Sequence, residues 1–340
     1  MDSPNSLLQV KNLRTHFFLH EGTVRAVDGV DFTLTRRSTV GIVGESGCGK
    51  SVMAFSILHL INKPGRIVSG EVLFDRAEDE KSTPDVVDLA ALKENSAELR
   101  AVRGKDISMI FQEPMNSLSP VHTIGDQITE GMLLHTDMTK KQAWARAVEL
   151  LHEVGIPKPD ERVHHYTFQL SGGMRQRAMI AAALACNPKL LIADEPTTAL
   201  DVTTQAQILD LLNKLQERFG MAVMLITHDL GVVAETCDEV VVMYLGEVVE
   251  QSSVDKLFHE PLHPYTQALL NSVPKLGYGR QQRLDPIRGS IPDPFSRPQG
   301  CPFHDRCDKR IPGKCNVIHP DLLKMPDGRT VRCLLYEDVL

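Results

Sequence analysis

Eight consecutive residues of this chain combine three glycines with a lysine and a serine: Gly44-Glu45-Ser46-Gly47-Cys48-Gly49-Lys50-Ser51. They fit the pattern G-x-x-x-x-G-K-[ST]. The glycines let the backbone curl tightly, so that successive N–H groups converge on one anion. The lysine amine would reach the β- and γ-phosphates, and the serine hydroxyl is a hard oxygen ligand for Mg²⁺. The segment therefore predicts a site for a nucleotide polyphosphate such as ATP.

The residues on either side give this segment the context that it requires. Residues 39–43 are apolar and mostly β-branched, which predicts a buried strand, and residues 52–61 are predicted to form a helix. A strand, a glycine-rich turn and a helix in this order bind phosphate at the helix N-terminus. A glycine-rich turn that fits the pattern by chance is the weaker explanation.

Four polar side chains follow predicted strands elsewhere in the chain. The strands are residues 107–111, 190–195 and 222–226, and the side chains are Gln112, Asp194, Glu195 and His228. Because α/β sheets bind ligands at the carboxyl ends of their strands, we expect these side chains to lie beside the phosphate loop. Structural roles, such as a helix cap for Asp194, do not explain their common position.

A second pair of glycines begins another predicted helix. The segment Ser171-Gly172-Gly173 precedes residues of helical composition that run to Ala185. The free N–H groups of a helix N-terminus make a second phosphate-binding surface. One chain cannot easily bring both surfaces to one phosphate, so the sequence predicts a site shared between two chains.

Periodicity predicts the elements around this core. Residues 7–14 and 29–34 alternate apolar and polar side chains, as half-buried antiparallel strands do, and Phe17 and Phe18 lie between them. At least one of the two rings belongs to the core, and the other could stack on adenine. Residues 76–100 are polar and predicted to be a solvated insert, whereas residues 125–154 have helical spacing and predict an inserted helical subdomain.

The composition excludes several classes of protein. The chain has 340 residues, of which 42% are hydrophobic, and this length predicts two unequal domains. Its formal charge of −7 gives no basic field that would favour nucleic acid. Apolar runs are shorter than the roughly 18–20 residues that span a bilayer, and no secretion signal is present. We therefore expect a cytosolic chain that reaches a membrane only through a partner.

Four of the seven cysteines lie close to the C-terminus: Cys301, Cys307, Cys315 and Cys333. Without a secretion signal they are predicted to be thiols or metal ligands rather than disulfides. Their spacing, C-x5-C-x7-C-x17-C, lacks the close C-x2-4-C pairs of structural zinc sites. Four thiolates on looser loops fit a 4Fe-4S cluster. A Zn²⁺ site, with His304 or His319 in place of a cysteine, and unligated thiols remain the alternatives.

Cys48 supports a separate hypothesis about reactivity. It lies beside Lys50 and a helix N-terminus, and such surroundings favour the thiolate. We therefore expect alkylation of Cys48 in the empty site and protection by ATP. The simpler interpretation is that Cys48 fills the space of a serine.

The chain resembles the nucleotide-binding subunit of an ABC transporter over about residues 7–270. The resemblance is carried by motifs that follow one another in a fixed order: the phosphate loop, Gln112, the Ser171 segment, Asp194-Glu195, Asp201 and His228. Residues 111–118 and 263–270 are similar to the dipeptide, oligopeptide and nickel import branch. The resemblance implies an α/β fold, an ABC-type P-loop ATPase with a mixed-sheet core, an antiparallel β-subdomain and a helical subdomain at about residues 115–185. The ABC domain would span residues 1–270, and residues 271–340 would form a small Cys-rich extension.

The resemblance also implies a role for each site residue. Phe17 would stack on adenine, and the phosphate loop from Gly44 to Ser51 would hold the phosphates. Ser51 and Gln112 would ligate Mg²⁺, and Asp194 would act on the metal through water. Glu195 would be the general base, and His228 would contact the γ-phosphate. Ser171, Gly172 and Gly173 would complete the partner's site, with Asp201 coupling the two sites.

The implied partners are separate chains. They are a second ABC ATPase subunit, typically in a heterodimer, two transmembrane permease subunits and an extracytoplasmic solute-binding protein, at the cytoplasmic face of the inner membrane. The resemblance favours peptides as cargo, with oligosaccharides, nickel chelates and opines open, and supports the 4Fe-4S cluster over zinc. A soluble ABC-type ATPase of DNA repair or translation and a non-catalytic nucleotide-binding module are the rival classes. Intact Glu195 and His228 argue against the second.

Overall fold

The structure, a computed structural model, describes residues 5–79, 81–112, 117–198, 200–272 and 287–339. The predicted family segment at residues 111–118 therefore lies partly outside the described residues. The same holds for the start of the predicted C-terminal extension.

Two sheets carry the fold. Their strands are β1 (Ser6–Leu19), β2 (Gly22–Thr35), β3 (Thr39–Val43), β4 (Gly65–Asp75), β5 (Val86–Asp88), β6 (Ile107–Ile110), β7 (Leu190–Asp194), β8 (Ala222–Ile226), β9 (Glu239–Tyr244), β10 (Glu247–Ser253), β11 (Leu323–Lys324) and β12 (Thr330–Val331).

The smaller sheet is antiparallel, in the order β2-β1-β4-β5. The alternation of apolar and polar residues predicted its first two strands, which extend further than expected and form a long hairpin. The prediction of a purely solvated insert at residues 76–100 was wrong. Strand β5 pairs with β4, and Leu89 and Leu99 of the insert are fully buried, because the insert covers the edge of this sheet.

The larger sheet is mixed, in the order β11-β12-β10-β9-β3-β8-β7-β6. Strands β9, β3, β8, β7 and β6 run parallel to one another, and β10, β12 and β11 are antiparallel additions beside β9. Strands β3, β7 and β8 are buried along their whole length, as their continuous apolar sequences require. The carboxyl ends of the parallel strands therefore meet at one edge of the sheet.

The helices cover the sheets and form the inserted subdomain. They are α1 (Lys50–Ile57), α2 (Ala97–Val102), α3 (Ile124–His135), α4 (Lys140–Glu153), α5 (Pro159–Arg162), α6 (Gly172–Ala183), α7 (Val202–Phe219), α8 (Leu230–Thr236), α9 (Val254–His259) and α10 (Pro264–Asn271). None of the helices in the described ranges has both the length and the apolar content that crossing a bilayer requires.

The predicted helical subdomain is present, but residues 125–154 form two helices rather than one. Thr139 is the N-cap of helix α4. Its hydroxyl accepts a hydrogen bond from the Gln142 backbone N–H, and the Gln142 side chain accepts one from the Thr139 backbone N–H. Ala147, Leu150 and Ile128 from the two helices are buried in the same apolar cluster.

The described C-terminal residues pack against the larger sheet and α10. Phe303 and Leu334 are buried with Tyr244 of β9 and Tyr265 of α10 in one apolar cluster. Strand β12 adds to the edge of the larger sheet by pairing with β10. The C-terminal residues thus share an apolar core with the preceding part of the chain, and the domain division at residue 270 stays a prediction.

Candidate functional site

The phosphate loop connects β3 to α1, and its glycines are required by close contacts. Gly44, Gly47 and Gly49 have φ values of 150°, 80° and 102°, a region that favours glycine. A Cβ at Gly49 would lie 2.1 Å from the carbonyl oxygen of Ala26, and one at Gly44 would lie 2.2 Å from that of Met243. The backbone of the loop is therefore enclosed on both sides by neighbouring strands.

Lys50 points into the loop. Its Nζ donates to the carbonyl oxygens of Gly44 at 2.7 Å and Glu45 at 3.1 Å, and the residue is buried. A buried ammonium group whose hydrogen bonds go to neutral carbonyl oxygens is available to an anion that enters the loop.

Two of the predicted Mg²⁺ ligands lie side by side. The hydroxyl of Ser51 donates to Asp194 Oδ1 at 3.0 Å, which joins the first turn of α1 to the end of β7. Asp194 is 1% exposed. Burial raises the pKa of Asp194, and the hydrogen bond from Ser51 only partly offsets this. A hydroxyl and a buried carboxylate at this distance are oxygen donors of the kind that Mg²⁺ prefers.

The other two predicted catalytic residues, Gln112 and His228, both contact the Glu195 carboxylate. Its Oε2 accepts from Gln112 Nε2 and from the Thr198 hydroxyl, both at 2.9 Å, and His228 Nδ1 lies 3.2 Å from Oε1. Burial raises the pKa of Glu195, but hydrogen bonds from Thr198 and His228 and the charges of His228 and Lys50 outweigh it, so that the pKa lies below its usual value. The carboxyl group is therefore ionised at neutral pH.

The second glycine pair is at the surface, with Gly172 exposed and Gly173 half-buried. Ser171 is the N-cap of α6 and accepts from the Met174 backbone at 3.4 Å. Among the described residues beyond its immediate neighbours, none has a heavy atom within 4 Å of a Cβ built on Gly172, and Thr204 Cγ2 lies 3.1 Å from one built on Gly173. The exposed N-terminus of α6 is thus open to another molecule.

Asp201 has a structural role in the isolated chain. It is the N-cap of α7, and its carboxylate accepts from the backbone of Thr204 at 3.0 Å and from the Thr204 hydroxyl at 2.7 Å. These hydrogen bonds lower the pKa of Asp201, which is exposed.

A cavity of about 1170 Å³ adjoins the phosphate loop at Ser46 and Gly47. Its walls come from β2, the turn between β9 and β10, and residues 290–300 of the C-terminal region, which include Phe295. Phe17, the predicted adenine contact, does not line this cavity. Its Cε1 lies 2.6 Å from a Cβ built on Gly65, so the ring packs over the neighbouring strand.

The reactive thiolate predicted for Cys48 is contradicted. Cys48 is 4% exposed, and burial raises the pKa of its thiol more than the charge and hydrogen bonds of Lys50 lower it. Its Sγ lies 3.7 Å from Lys50 Nζ and 2.8 Å from a Cβ built on Gly44. Cys48 is therefore a space-filling neutral thiol, because desolvation outweighs the positive surroundings.

Sequence reasoning missed two residues that hold the phosphate loop. The backbone N–H of Glu45 donates to the hydroxyl of Tyr265 at 2.9 Å. The carboxylate of Glu45 is bound by Arg306 through Nη1 at 2.7 Å and Nη2 at 2.9 Å. In the sequence, Tyr265 was marked only as part of residues 263–270, the segment that is similar to the import branch. No feature of the sequence pointed to Arg306.

The four C-terminal cysteines are brought together around one small cavity, which Phe303 and Leu334 also line. Burial raises the pKa of Cys301 to about 12 and that of Cys333 to about 11, and charges on the other thiols of the group add to both shifts. Among the described residues, no three His, Cys, Asp or Glu side chains are arranged to hold a metal ion. The structure thus gives the predicted metal centre no direct support. His319 does not join the cysteines, because its Nε2 pairs with Glu247 at 2.8 Å.

Comparison with known families agrees with this geometry. The family model for ABC transporters matches residues 27–198, which contain the phosphate loop and Asp194-Glu195. The chain belongs to the ABC transporter family. A second family model, the C-terminal region of oligopeptide/dipeptide transporters, matches residues 249–315 of this ABC protein.

Curated relatives match the ABC protein along nearly all of its length. The oligopeptide transport ATP-binding protein AppD of Bacillus subtilis (strain 168) is 51% identical over 98% of both chains. The dipeptide transport ATP-binding protein DppD of the same organism is 47% identical over 97% of this chain and 95% of its own.

A solved ABC cassette has the same fold. The dimeric structure of MJ0796, a bacterial ABC transporter cassette, is 30% identical and covers 73% of this chain and 99% of its own, with a TM-score of 0.62. The predicted ABC-type α/β fold is confirmed, and the protein is an ATP-hydrolysing subunit of an ABC transporter.

Proposed function

We propose that this ABC ATPase powers the import of peptides, with Ser51, Gln112, Asp194, Glu195 and His228 as its catalytic centre. The observation that carries the catalytic assignment is the convergence of Gln112 and His228 on the Glu195 carboxylate. Ser51 and Asp194 form an adjoining hydrogen-bonded pair.

Each residue has a role that follows from its contacts. Lys50 exchanges the carbonyls of Gly44 and Glu45 for the β- and γ-phosphates. Glu195, ionised at neutral pH, orients the attacking water and accepts its proton, and His228 contacts the γ-phosphate.

Ser51, Asp194 and Gln112 fit a bound Mg²⁺, because a hydroxyl and a carboxylate oxygen already lie 3.0 Å apart and the Gln112 amide is close by. When bound, Mg²⁺ neutralises charge on the β- and γ-phosphates. Gln112, whose amide nitrogen donates to Glu195, would supply its amide oxygen to the metal.

The exposed N-terminus of α6 supports a two-chain site. Ser171, Gly172 and Gly173 would bind the γ-phosphate held by a second ATPase subunit, and Asp201 beside them would couple the two sites. MJ0796 has been solved as a dimer in a state bound to ADP and Pi. Binding of ATP would close the dimer, and hydrolysis would release it.

The other partners follow from the branch of the family. AppD and DppD are transport ATP-binding proteins for oligopeptides and dipeptides. By analogy we propose two transmembrane permease subunits, an external solute-binding protein and a peripheral position at the cytoplasmic face of the inner membrane. The helical subdomain and Gln112 would transmit closure to the permeases.

Reconstitution tests this function. The ATPase is co-expressed with the permease and solute-binding subunits encoded beside it, and the complex is placed in proteoliposomes. We expect ATP-dependent uptake of a labelled peptide and no uptake with ADP. Uptake of an oligosaccharide or a nickel chelate without peptide uptake would contradict the cargo, and failure to co-purify with membrane subunits would contradict the transporter assignment.

We also propose that Cys301, Cys307, Cys315 and Cys333 hold a 4Fe-4S cluster. The support is that all four line one small cavity. Four thiolates are the ligands that such a cluster requires.

Anaerobic purification tests the cluster. We expect brown protein with about four irons per chain, and loss of colour without loss of ATP binding in Cys315→Ser. Colourless anaerobic protein, with one zinc or without metal, would contradict the proposal.

A further inference from the structure

The phosphate loop is held from outside by Tyr265 of α10 and by Arg306 of the C-terminal region, and both residues contact Glu45. Tyr265 accepts a hydrogen bond from the Glu45 backbone, and Arg306 binds the Glu45 carboxylate through two nitrogens, at 2.7 and 2.9 Å. Paired, bidentate hydrogen bonds of this kind fix both the position and the orientation of a carboxylate.

Arg306 is itself held in a fixed orientation. Its side chain is 4% exposed, and its Nε donates to the carbonyl oxygen of Arg288 at 2.9 Å. The guanidinium carbon lies 5.8 Å from the ring centroids of both Tyr244 and Phe303. A buried arginine with this many partners is a preorganised contact rather than a surface ion pair.

The Arg306–Glu45 ion pair affects ATP binding because the phosphates of ATP are negatively charged. ATP brings several negative charges into a loop that also contains the carboxylate of Glu45. Like charges at short range disfavour binding unless one of them is neutralised, and the effect is larger where water is excluded. Arg306 supplies the neutralising charge and holds the carboxylate through both of its oxygens.

We propose that Arg306 is a positioning residue for ATP, which sets the affinity of the phosphate loop by neutralising and orienting Glu45. The inference rests on the proposed role of this loop as the ATP site. The C-terminal region would then contribute to ATP affinity through Arg306, although Arg306 itself does not contact the nucleotide. Because Arg306 acts through Glu45, its effect disappears when Glu45 carries no charge.

Binding of a fluorescent ATP analogue to the full-length protein tests this dependence. The variants are Arg306→Met, Glu45→Gln and the double variant, with Arg288→Met as the control. Arg288 belongs to the same region, but its side chain pairs with Asp308 at the surface. We expect Arg306→Met to raise the Kd for MgATP about tenfold, because the negative charge of Glu45 is then no longer neutralised beside the phosphates. Arg288→Met should leave the Kd unchanged.

The double variant gives the decisive result. We expect Glu45→Gln to restore most of the affinity lost in Arg306→Met, because the amide removes the repulsion. The effect of Arg306→Met should also shrink as salt is added. If Arg306→Met does not fold, Arg306→Lys, which keeps the charge and loses the paired contact, should raise the Kd less but measurably.

An unchanged Kd in Arg306→Met, or an equal loss in the single and double variants, would overturn the inference. The second outcome would mean that the change damages the loop by a route other than Glu45. Failure of the wild-type protein to bind the ATP analogue would instead contradict the proposed ATP site, so the two failures are distinguishable.

Discussion

Glu195 has a backbone conformation that a glutamate rarely adopts. Its φ is 46°, in the left-handed region, and it follows directly after the buried strand β7. Such a conformation costs about 1–3 kcal/mol and persists only where the surroundings impose it. Here it allows three hydrogen-bonding side chains to reach the carboxylate.

The first prediction concerns this carboxylate. Glu195→Gln should bind MgATP with normal affinity and lower kcat by about 10²–10⁴-fold, because a positioned base contributes this much and the amide preserves the packing. Steady-state phosphate release by the assembled transporter measures the loss, and nucleotide binding serves as the control. Normal turnover would show that Glu195 is not the base.

The second prediction concerns Cys48. Because its thiol is neutral and buried, we expect slow labelling by N-ethylmaleimide at pH 7.5, with little protection by MgATP. Mass spectrometry of the peptide that contains Cys48 measures the rate, and urea-unfolded protein gives the rate of the exposed thiol. Fast labelling that ATP blocks would restore the thiolate hypothesis.

The site could be predicted largely from strand ends and the glycine pattern. These signals identified Asp194, Glu195 and Gln112, which the structure brings to one edge of the sheet. They could not identify Arg306, because it lies 261 residues from Glu45 in the chain and no periodicity or spacing links the two. A contact of this kind arises only from packing of the C-terminal region.

The elements of the parallel core were predicted closely, whereas connections were predicted less well. Strand β8 has the predicted bounds, since a short apolar run leaves few alternatives. The break between α3 and α4 was missed because both helices bury the same apolar cluster and keep the helical spacing across it. The informative signal was Thr139 with Gln142 three residues later, which is a capping box.

The third prediction concerns the start of α10. His263 caps this helix by accepting from the Tyr265 backbone at 3.0 Å, and burial lowers the pKa of His263 to about 3. The folded protein thus excludes a proton that the unfolded chain binds below about pH 6.5. The free energy of unfolding is therefore not reduced by His263 above pH 6.5. Below that pH, protonation of His263 in the unfolded chain should lower the free energy of unfolding by about 2 kcal/mol by pH 5.

Urea unfolding at pH 7.5 and pH 5.0 measures this fall, with His263→Asn as the control because asparagine also caps helices. Burial raises the pKa of neighbouring Glu250, which contributes with the opposite sign in both proteins. The wild type should lose about 2 kcal/mol more than the variant on acidification. Equal losses would contradict the prediction.

At the scale of the whole molecule, the C-terminal region and the ABC core share one apolar cluster. Phe303 is 2% exposed, and its ring lies 5.3 Å from the rings of both Tyr244 and Tyr265. We therefore expect the two regions to unfold in one transition.

The fourth prediction follows from this shared core. Phe303→Ala should lower the free energy of unfolding by about 3–5 kcal/mol and weaken the whole protein, since it leaves a cavity between the two regions. Phe295→Ala is the matched control, because Phe295 is 45% exposed and its loss should cost less than about 1 kcal/mol. Two separate transitions in Phe303→Ala, with the ABC core unaffected, would show that the regions are independent.

The two outermost strands of the larger sheet have a consequence for solubility. Strand β12 pairs with Glu250 and Gln251 of the seven-residue strand β10, and the last strand, β11, has only two residues, one of them a lysine. Short, charged edges offer few backbone groups to another chain, whereas an open seven-residue edge invites aggregation. We therefore expect a shortened chain that ends before residue 320 to self-associate, whatever its state of metal or nucleotide binding.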